Sequence, residues 1–280
     1  ISSEKLMKNY DETELGKETT YIENYDPNLL CPISRKKARE NAIPSEIQFY
    51  GNDRWTAYEL SWLSLSGLPR VAIGTFNFPC DSANVVESKS FKLYLNSFIQ
   101  TKFASKDDVV NTIVEDLTYI SGATVSVDID NLDEYQEKTK ISEPKAICID
   151  GSNKAFTQYQ PDHSLLKIEE DKEISELLYS NLLKTNCPVT NQPDWASIYV
   201  DYTGSKIDRE SLLKYIVSYR LHQDFHEICV EKIFCDLYNL SQPKHLSVYA
   251  KYMRRGGLDI NPYRSTSKKN DFGKTRHVRQ

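Results

Sequence analysis

The stretch Ser88–Gln100, "SKSFKLYLNSFIQ", decides how the rest of the chain is read. Phe91, Tyr94, Leu95 and Phe98 stand at i, i+3, i+4 and i+7, the spacing that lines one face of an amphipathic helix. The same spacing returns 121 residues later in "ESLLKYIVSYRL", at Leu212, Tyr215, Ile216 and Tyr219. A second helix follows each of these. Val110, Ile113, Val114 and Leu117 in "VNTIVEDL" correspond to Val230, Ile233, Phe234 and Leu237 in "VEKIFCDL", now offset by 120, and both run on through Asp-Leu to a serine, Ser121 and Ser241.

Working outward, alternating stretches flank each helix pair. "RVAIGTFNF" precedes the first pair and "TVSVDID" follows it, with Val125, Val127 and Ile129 on one face. "ASIYVDYTG" precedes the second and "LSVYAKYM" follows it, with Leu246, Val248 and Ala250 aligned. A period of two suits antiparallel strands with one buried face. The pattern predicts an α+β protein of two tandem modules, each strand–strand–helix–helix–strand–strand, with the helix pairs packed on one face of the sheets. The expected modules are residues 1–140 and 141–280, the second including the connecting segment. That segment reads as ordered, with a buried strand in "KAICID" that hides Cys148 as an apolar filler, and a helix in "EEDKEISELLYSNLL".

The 280 residues are 39% hydrophobic, 27% charged and 11% aromatic, which fits a folded water-soluble chain and argues against disorder. No run of about 18 apolar residues calls for a membrane helix. The opening "ISSEKL" does not resemble a signal peptide and reads as residues ahead of a natural start at Met7. The six cysteines are scattered, so reduced thiols in the cytoplasm are expected. A net charge of −5 opposes broad nucleic-acid binding. From Arg254 onward, however, eight Lys or Arg stand against Asp259 and Asp271. That end reads either as a surface for an anion or as a solvated tail.

"NCPVTNQPD" sets Cys187 and Asp194 seven positions apart on a turn stiffened by Pro188 and Pro193. A thiol there is reactive if a neighbour takes its proton, and Asp194 is a candidate; a small apolar filler and a turn aspartate are the structural alternatives. Cys229 and Cys235 fall within a helix and are expected to pack. In "LHQDFHEICVEK", Asp224 and Glu227 read as a capping box that puts His222 and His226 on different elements. No fourth ligand accompanies them, so no metal is expected. Glu87, Ser88 and Lys89 open the first helix, where free backbone N–H groups favour anions. Arg254, Arg255, Gly256 and Gly257 read equally as a phosphate-binding stretch and as a strand end with a turn. There is no G-x-G-x-x-G, no phosphate-binding P-loop and no G-x-S-x-G elbow, so a dinucleotide would not bind in a Rossmann domain.

Taken together, "CPVTNQPD", "ESKSFKLY", "FHE" and "RRGGLDINP" resemble the long, two-module form of the 7-cyano-7-deazaguanine reductases, the QueF-type nitrile reductases of queuosine biosynthesis. The resemblance runs from Met7 to about Arg264. It implies tandem tunnelling-fold (ββααββ) modules, a homodimer, and one composite site per chain between the modules. It assigns catalysis to Cys187 as nucleophile, Asp194 as proton donor and His226 against the substrate. Val86, Glu87, Ser88, His226 and Glu227 would bind the base, and Ser88, Lys89, Arg255 and Gly256 would hold NADPH. Lys106–Asp107, offset by 120, replaces His226–Glu227 in the first half, which has lost the pair. Two rivals remain open: a cysteine-dependent nitrile or amide hydrolase, which would ignore NADPH, and a non-redox purine- or pterin-binding protein.

Overall fold

A computed structural model describes residues 21–40, 42–44, 46–142, 145–268 and 275–280. The expected start at Met7 lies outside these residues, as do Lys269, Asp271 and Lys274 of the basic end. The chain divides into two compact units. The first holds the chain up to Ala38, Trp55–Gln136 and Gly256–Leu258; the second holds Arg39–Arg54, Glu137–Arg255 and Asp259–Gln280. Among the described residues no helix is long and apolar enough to cross a membrane.

The first unit enters through β1 (Pro32–Ser34) and the short α1 (Arg35–Arg39), then runs β2 (Tyr50–Ser64) into β3 (Pro69–Pro79). β4 (Asn84–Val86) pairs antiparallel with β1 and leads into α2 (Ser88–Asn96). β5 (Lys102–Phe103), α3 (Lys106–Ser121), β6 (Ser126–Asp130) and α4 (Leu132–Lys138) follow. The strand order is β6-β3-β2, with β5 beside β2. Phe91 and Tyr94 of α2 and Val109, Ile113 and Leu117 of α3 are buried, as are Trp55, Phe76, Val125 and Ile129 from the strands. The aromatic rings meet edge to face: Phe91 lies 5.0 Å from Phe76 and 5.4 Å from Trp55, the geometry the ring quadrupole favours.

The second unit contains β7 (Lys140–Ile141), β8 (Ile147–Cys148), β9 (Ile168–Asn186), β10 (Pro193–Ile207), α5 (Arg209–Ser218), α6 (His226–Ser241), β11 (His245–Tyr252), β12 (Leu258–Ser265) and β13 (Thr275–Arg276). Its strand order is β12-β11-β10-β9-β8. The pairs are antiparallel except for β8 with β9, and β13 pairs in parallel with β7. Ala196, Ile198, Val200 and Tyr202 of β10 and Leu246, Val248 and Ala250 of β11 form one core with the apolar faces of α5 and α6. The architecture is mixed α+β, with antiparallel-rich sheets and few helices.

Two expectations fail here. "EEDKEISELLYSNLL" is not a helix but most of β9, paired with β10 along its length. The register shifts between Ala196/Ile198 of β10, where Leu183 faces Ala196 and Ser180 faces Ile198. That bulge turns both Leu178 and Leu183 inward, five residues apart, where strict alternation would put them on opposite faces. Asp150 secures the bulge by accepting from Ser180 Oγ and the Asn181 N–H. "KAICID" yields only the two-residue β8, with Ile147 and Cys148 exposed and Ile149 buried. In the basic end, two arginines are engaged within the second unit, while Arg254 and Lys268 are exposed. Arg264 is fully buried, donates to Glu231 Oε1 at 2.7 Å and pairs with Asp53 at 2.8 Å, while Arg279 donates to the carbonyls of Asn181 and Ala196.

The internal repeat extends to single hydrogen bonds. α3 and α6 begin at Lys106 and His226 and end at Ser121 and Ser241. α2 and α5 each start from an acidic N-cap, Glu87 and Asp208. Tyr94 donates to Asp116 at 2.6 Å, and Tyr215 donates to Asp236 at the matching position. The C-caps also match: Gly122 and Gln242 both take left-handed backbone, with φ 72° and 42°. The outlines differ at the short β4 and β5, which lack counterparts in the second unit, and again after β6. The second unit runs β9-β10-α5-α6-β11-β12, whereas after β6 the first forms α4 instead of a further long strand. Asn131 and Glu134 cause this. Asn131 accepts from the Glu134 N–H at 2.9 Å, and Glu134 accepts from the Asn131 N–H at 3.0 Å, a reciprocal cap that starts a helix.

Candidate active site

In the second unit, β9 ends at Asn186 and β10 begins at Pro193, leaving Cys187 to Gln192 as the connecting turn. The Cys187 N–H donates to the Gln192 carbonyl at 2.9 Å and the Asn191 N–H to the Cys187 carbonyl at 3.1 Å. Asn191 takes φ 56°, a left-handed conformation asparagine tolerates better than most residues. Its side chain accepts from Gln223 Nε2 at 2.8 Å. The turn is thus tied down at both ends, and Cys187 is 5% exposed. Its loop-like neighbours suggested a more open thiol than the fold gives.

Asp194 is the second residue of β10, opposite Thr185 of β9, and 7% exposed. One carboxylate oxygen lies 3.4 Å from His226 Nε2 and the other 3.4 Å from Arg255 Nη1. Arg255 also donates to Gln192 Oε1 at 3.0 Å, so it braces the turn as well as the carboxylate. His226 is the first residue of α6, and its ring stands 4.0 Å from that of Tyr252. Beneath it Cys229, Thr185 and Tyr252 are buried. Burial pushes the Cys229 thiol and the Tyr252 phenol well up, so both stay neutral. Glu227, the next residue on α6, is buried in the first turn, where the helix dipole favours a carboxylate.

The expected capping box does not form. The N-cap of α6 is Phe225, with no side-chain cap, because Asp224 accepts from the Phe225 N–H instead, at 2.8 Å. His222 and His226 do sit on different elements, His222 following a 3-10 turn at Tyr219–Leu221. Among the described residues no group of His, Cys, Asp or Glu is arranged to hold a metal ion. Sequence reading missed Lys184, Asn186, Gln192 and Tyr252. Only their closeness in the chain to Cys187 or to "RRGG" could have flagged them.

In the first unit, Val86 ends β4, buried, and Glu87 caps α2. The Glu87 carboxylate accepts from the N–H groups of Lys89 at 2.8 Å and Ser90 at 2.7 Å. Oε1 also accepts from Ser88 Oγ at 3.5 Å, and Oε2 keeps a second lone pair for a ligand N–H. Burial raises the Glu87 pKa, and the two backbone hydrogen bonds oppose the rise. Ser88 opens the helix, followed by Lys89 and, one position past Phe91, by Lys92. Gly256, at φ 60°, lies against Lys92: a Cβ there would meet Lys92 Cδ at 3.3 Å. A hydroxyl at a helix start, two ammonium groups and a backbone bare of side chain form a donor set that fits the phosphates of a dinucleotide. Lys106, the counterpart of His226 at the start of α3, pairs with Glu134 at 3.2 Å.

Comparison with known proteins shows the family of the chain. A family model described as "Nitrile reductase, 7-cyano-7-deazaguanine-reductase N-term" matches residues 21–129, and one described as "QueF-like protein" matches residues 193–271. An NADPH-dependent 7-cyano-7-deazaguanine reductase of Paraburkholderia xenovorans is 50% identical over 91% of this chain and 93% of its own. Its counterpart in Saccharophagus degradans is 52% identical over 90% and 93%. The chain belongs to the 7-cyano-7-deazaguanine reductase family. A solved structure, the archaeosine synthase QueF-Like in the apo form, aligns over 35% of the chain at a TM-score of 0.30 and 18% identity, too partial a likeness to carry the fold. In this reductase chain, Val86, Glu87, Ser88 and Lys89 fall inside the first family match, and Asp194, His226, Glu227, Arg255 and Gly256 inside the second. Cys187 lies between the two.

Proposed function

We propose that this protein reduces the nitrile of 7-cyano-7-deazaguanine to the primary amine of 7-aminomethyl-7-deazaguanine, with two NADPH consumed per nitrile, in queuosine biosynthesis. The observation that carries the mechanism is the convergence of the Cys187 turn, Asp194 and His226 at the ends of β9, β10 and the start of α6. Cys187 attacks the nitrile carbon as thiolate. A C–S bond forms, one C≡N π pair moves to nitrogen, and nitrogen takes a proton to give a thioimide. Asp194 is the proton donor, and its 3.4 Å approach to His226 Nε2 gives a route for replacing that proton. Bound NADPH supplies a hydride to each of the two carbon–nitrogen double bonds that arise in turn, and the thiolate leaves Cys187 between the two reductions. With two protons the balance closes at one amine and two NADP⁺.

The chain's own residues then have separable tasks. Cys187 tethers the partly reduced carbon so that it is not lost to water. His226 steadies or protonates the imine nitrogen. Glu87 and Glu227, with Val86 and Ser88, are proposed to bind the base, carboxylates suiting a guanine-type N–H edge. Ser88, Lys89, Arg255 and Gly256 are proposed to hold NADPH. The two units are read as tandem tunnelling-fold modules, a reading supported by the matched helices α3 and α6 and the matched Tyr–Asp bonds. A homodimer acting on the free base, with no direct nucleic-acid contact, completes the proposal.

The test is NADPH oxidation with limiting nitrile, for wild type beside Cys187→Ala. Two NADPH oxidised per nitrile, abolished in the folded variant, is the expected result. Ammonia release without oxidation would make the protein a hydrolase, and a folded sample giving neither would leave a binding protein.

A further inference from the structure

Lys184 lies three residues before the nucleophile and directs its ammonium at the scaffold of the nucleophile's turn. Nζ donates to Asn186 Oδ1 at 2.6 Å and to the Arg220 carbonyl at 2.8 Å. Asn186 is 6% exposed and is the hub of this corner. Its N–H donates to the His222 carbonyl at 2.8 Å, its carbonyl accepts from the Asp224 N–H at 3.2 Å, and its side-chain amide reaches the His222 carbonyl at 3.4 Å. One residue beyond Asn186 is Cys187; two beyond Asp224 is His226. The end of β9 is therefore riveted to the 220–224 segment that delivers α6.

The two acceptors of the Lys184 ammonium, Asn186 Oδ1 and the Arg220 carbonyl, are neutral oxygens. Burial and the charge of Arg220 lower its pKa, with the Asp194 carboxylate opposing them. Across the strand pair it stands opposite Trp195, whose ring carries the Arg220 guanidinium 5.4 Å from its centroid. The Lys184 side chain is only half-buried, and the apolar core of the unit does not include it. Its bonds serve the corner where thiol and imidazole are set.

We propose that Lys184 is a positioning residue for the covalent step: with Asn186 it fixes the spacing between Cys187 and the His226–Glu227 turn. The proposal rests on the nitrile-reductase reading. It assigns to Lys184 the rate at which the thioimide forms and not the affinity for the base. A misplacement of about 1 Å at a reacting centre costs on the order of 10²-fold in rate.

The experiment follows the covalent adduct by intact mass after mixing full-length enzyme with 7-cyano-7-deazaguanine in the absence of NADPH, with steady-state KM and kcat measured alongside. Lys184→Met is expected to slow adduct formation and lower kcat by about 10- to 100-fold, with KM for the nitrile within about twofold of wild type. Lys184→Arg, which keeps a cation able to reach two carbonyl-type oxygens, is expected to recover most of the rate. Adduct formation at the wild-type rate in Lys184→Met overturns the proposal. So does a parallel loss of rate, KM and melting temperature that Lys184→Arg does not rescue. If Lys184→Met fails to fold, Asn186→Ser breaks the same clamp from its other side, and the same criteria decide. Wild type giving neither adduct nor NADPH oxidation defeats the functional reading and this proposal with it. An active wild type with an unimpaired Lys184→Met defeats the positioning role alone.

Discussion

Asp194 is held by two different demands, a base at one oxygen and a guanidinium at the other. Neutralising it separates proton donation from geometry. Asp194→Asn, near-isosteric, is expected to slow thioimide formation by about 10²-fold or more, the range for losing a positioned general acid. Rapid mixing with mass detection reads this directly. Glu87 makes a second prediction. Burial raises its folded pKa above the ordinary 4.5, so the folded state holds the proton more tightly than the unfolded one. The associated stability is fully present below the ordinary pKa and is lost as pH rises through the raised value. The stability of wild type relative to Glu87→Gln should therefore fall on going from about pH 4 towards neutrality, measured by denaturant melts across that window. At this scale the sequence showed residue types well and contacts poorly. Cys187, Asp194 and His226 could be singled out because their neighbours were polar, prolyl or capping residues. The bonds of Asn186 and Lys184 run to the 220–224 segment, more than thirty residues away, and no local pattern records them.

Among the elements, the helices were legible and β9 was not, for one physical reason. An amphipathic helix writes its period into neighbouring residues, so Phe91, Tyr94 and Phe98 announced α2. A strand is settled by its partner, and in β9 the bulge opposite Ala196 and Ile198 broke the alternation that would have identified it. Capping shows the same divide. Ser105 and Asp108 form a reciprocal cap at α3, while the similar-looking Asp224 and Glu227 do not, because Asp224 bonds the residue next to it. The matched C-caps give a prediction. Gln242 occupies the left-handed position that Gly122 fills in the other unit, and a side chain there is strained. Gln242→Gly is expected to stabilise the protein by about 0.5–1 kcal/mol, the relief of strain exceeding the added freedom of the unfolded chain. A small rise in melting temperature with unchanged activity would show it.

For the whole molecule, the repeat is structural while the chemistry is not repeated. The Tyr94–Asp116 and Tyr215–Asp236 bonds occur in both units, yet His226–Glu227 has only Lys106–Asp107 as counterpart. Neither thiol of the first unit, Cys31 or Cys80, lies on a turn between two long strands like that of Cys187. One covalent adduct per chain is therefore expected on saturation with the nitrile, and none in Cys187→Ala, by intact mass. The duplication was readable in the sequence because it is carried by helix faces. The different end of the first unit was not, because the reciprocal cap of Asn131 and Glu134 went unread and with it α4.

The thiols also differ in what solvent can reach. Cys148 is exposed, whereas Cys80, Cys187, Cys229 and Cys235 are buried and Cys31 is intermediate. An alkylating reagent used to count reactive sulfur will meet Cys148 first, a residue of β8 outside the proposed site. The first equivalent of label thus reports on the protein's surface, and inactivation acquires meaning only when the modified peptide is identified. Replacing Cys148 and Cys31 by serine would leave a bulk thiol titration to follow the opening of buried thiols alone.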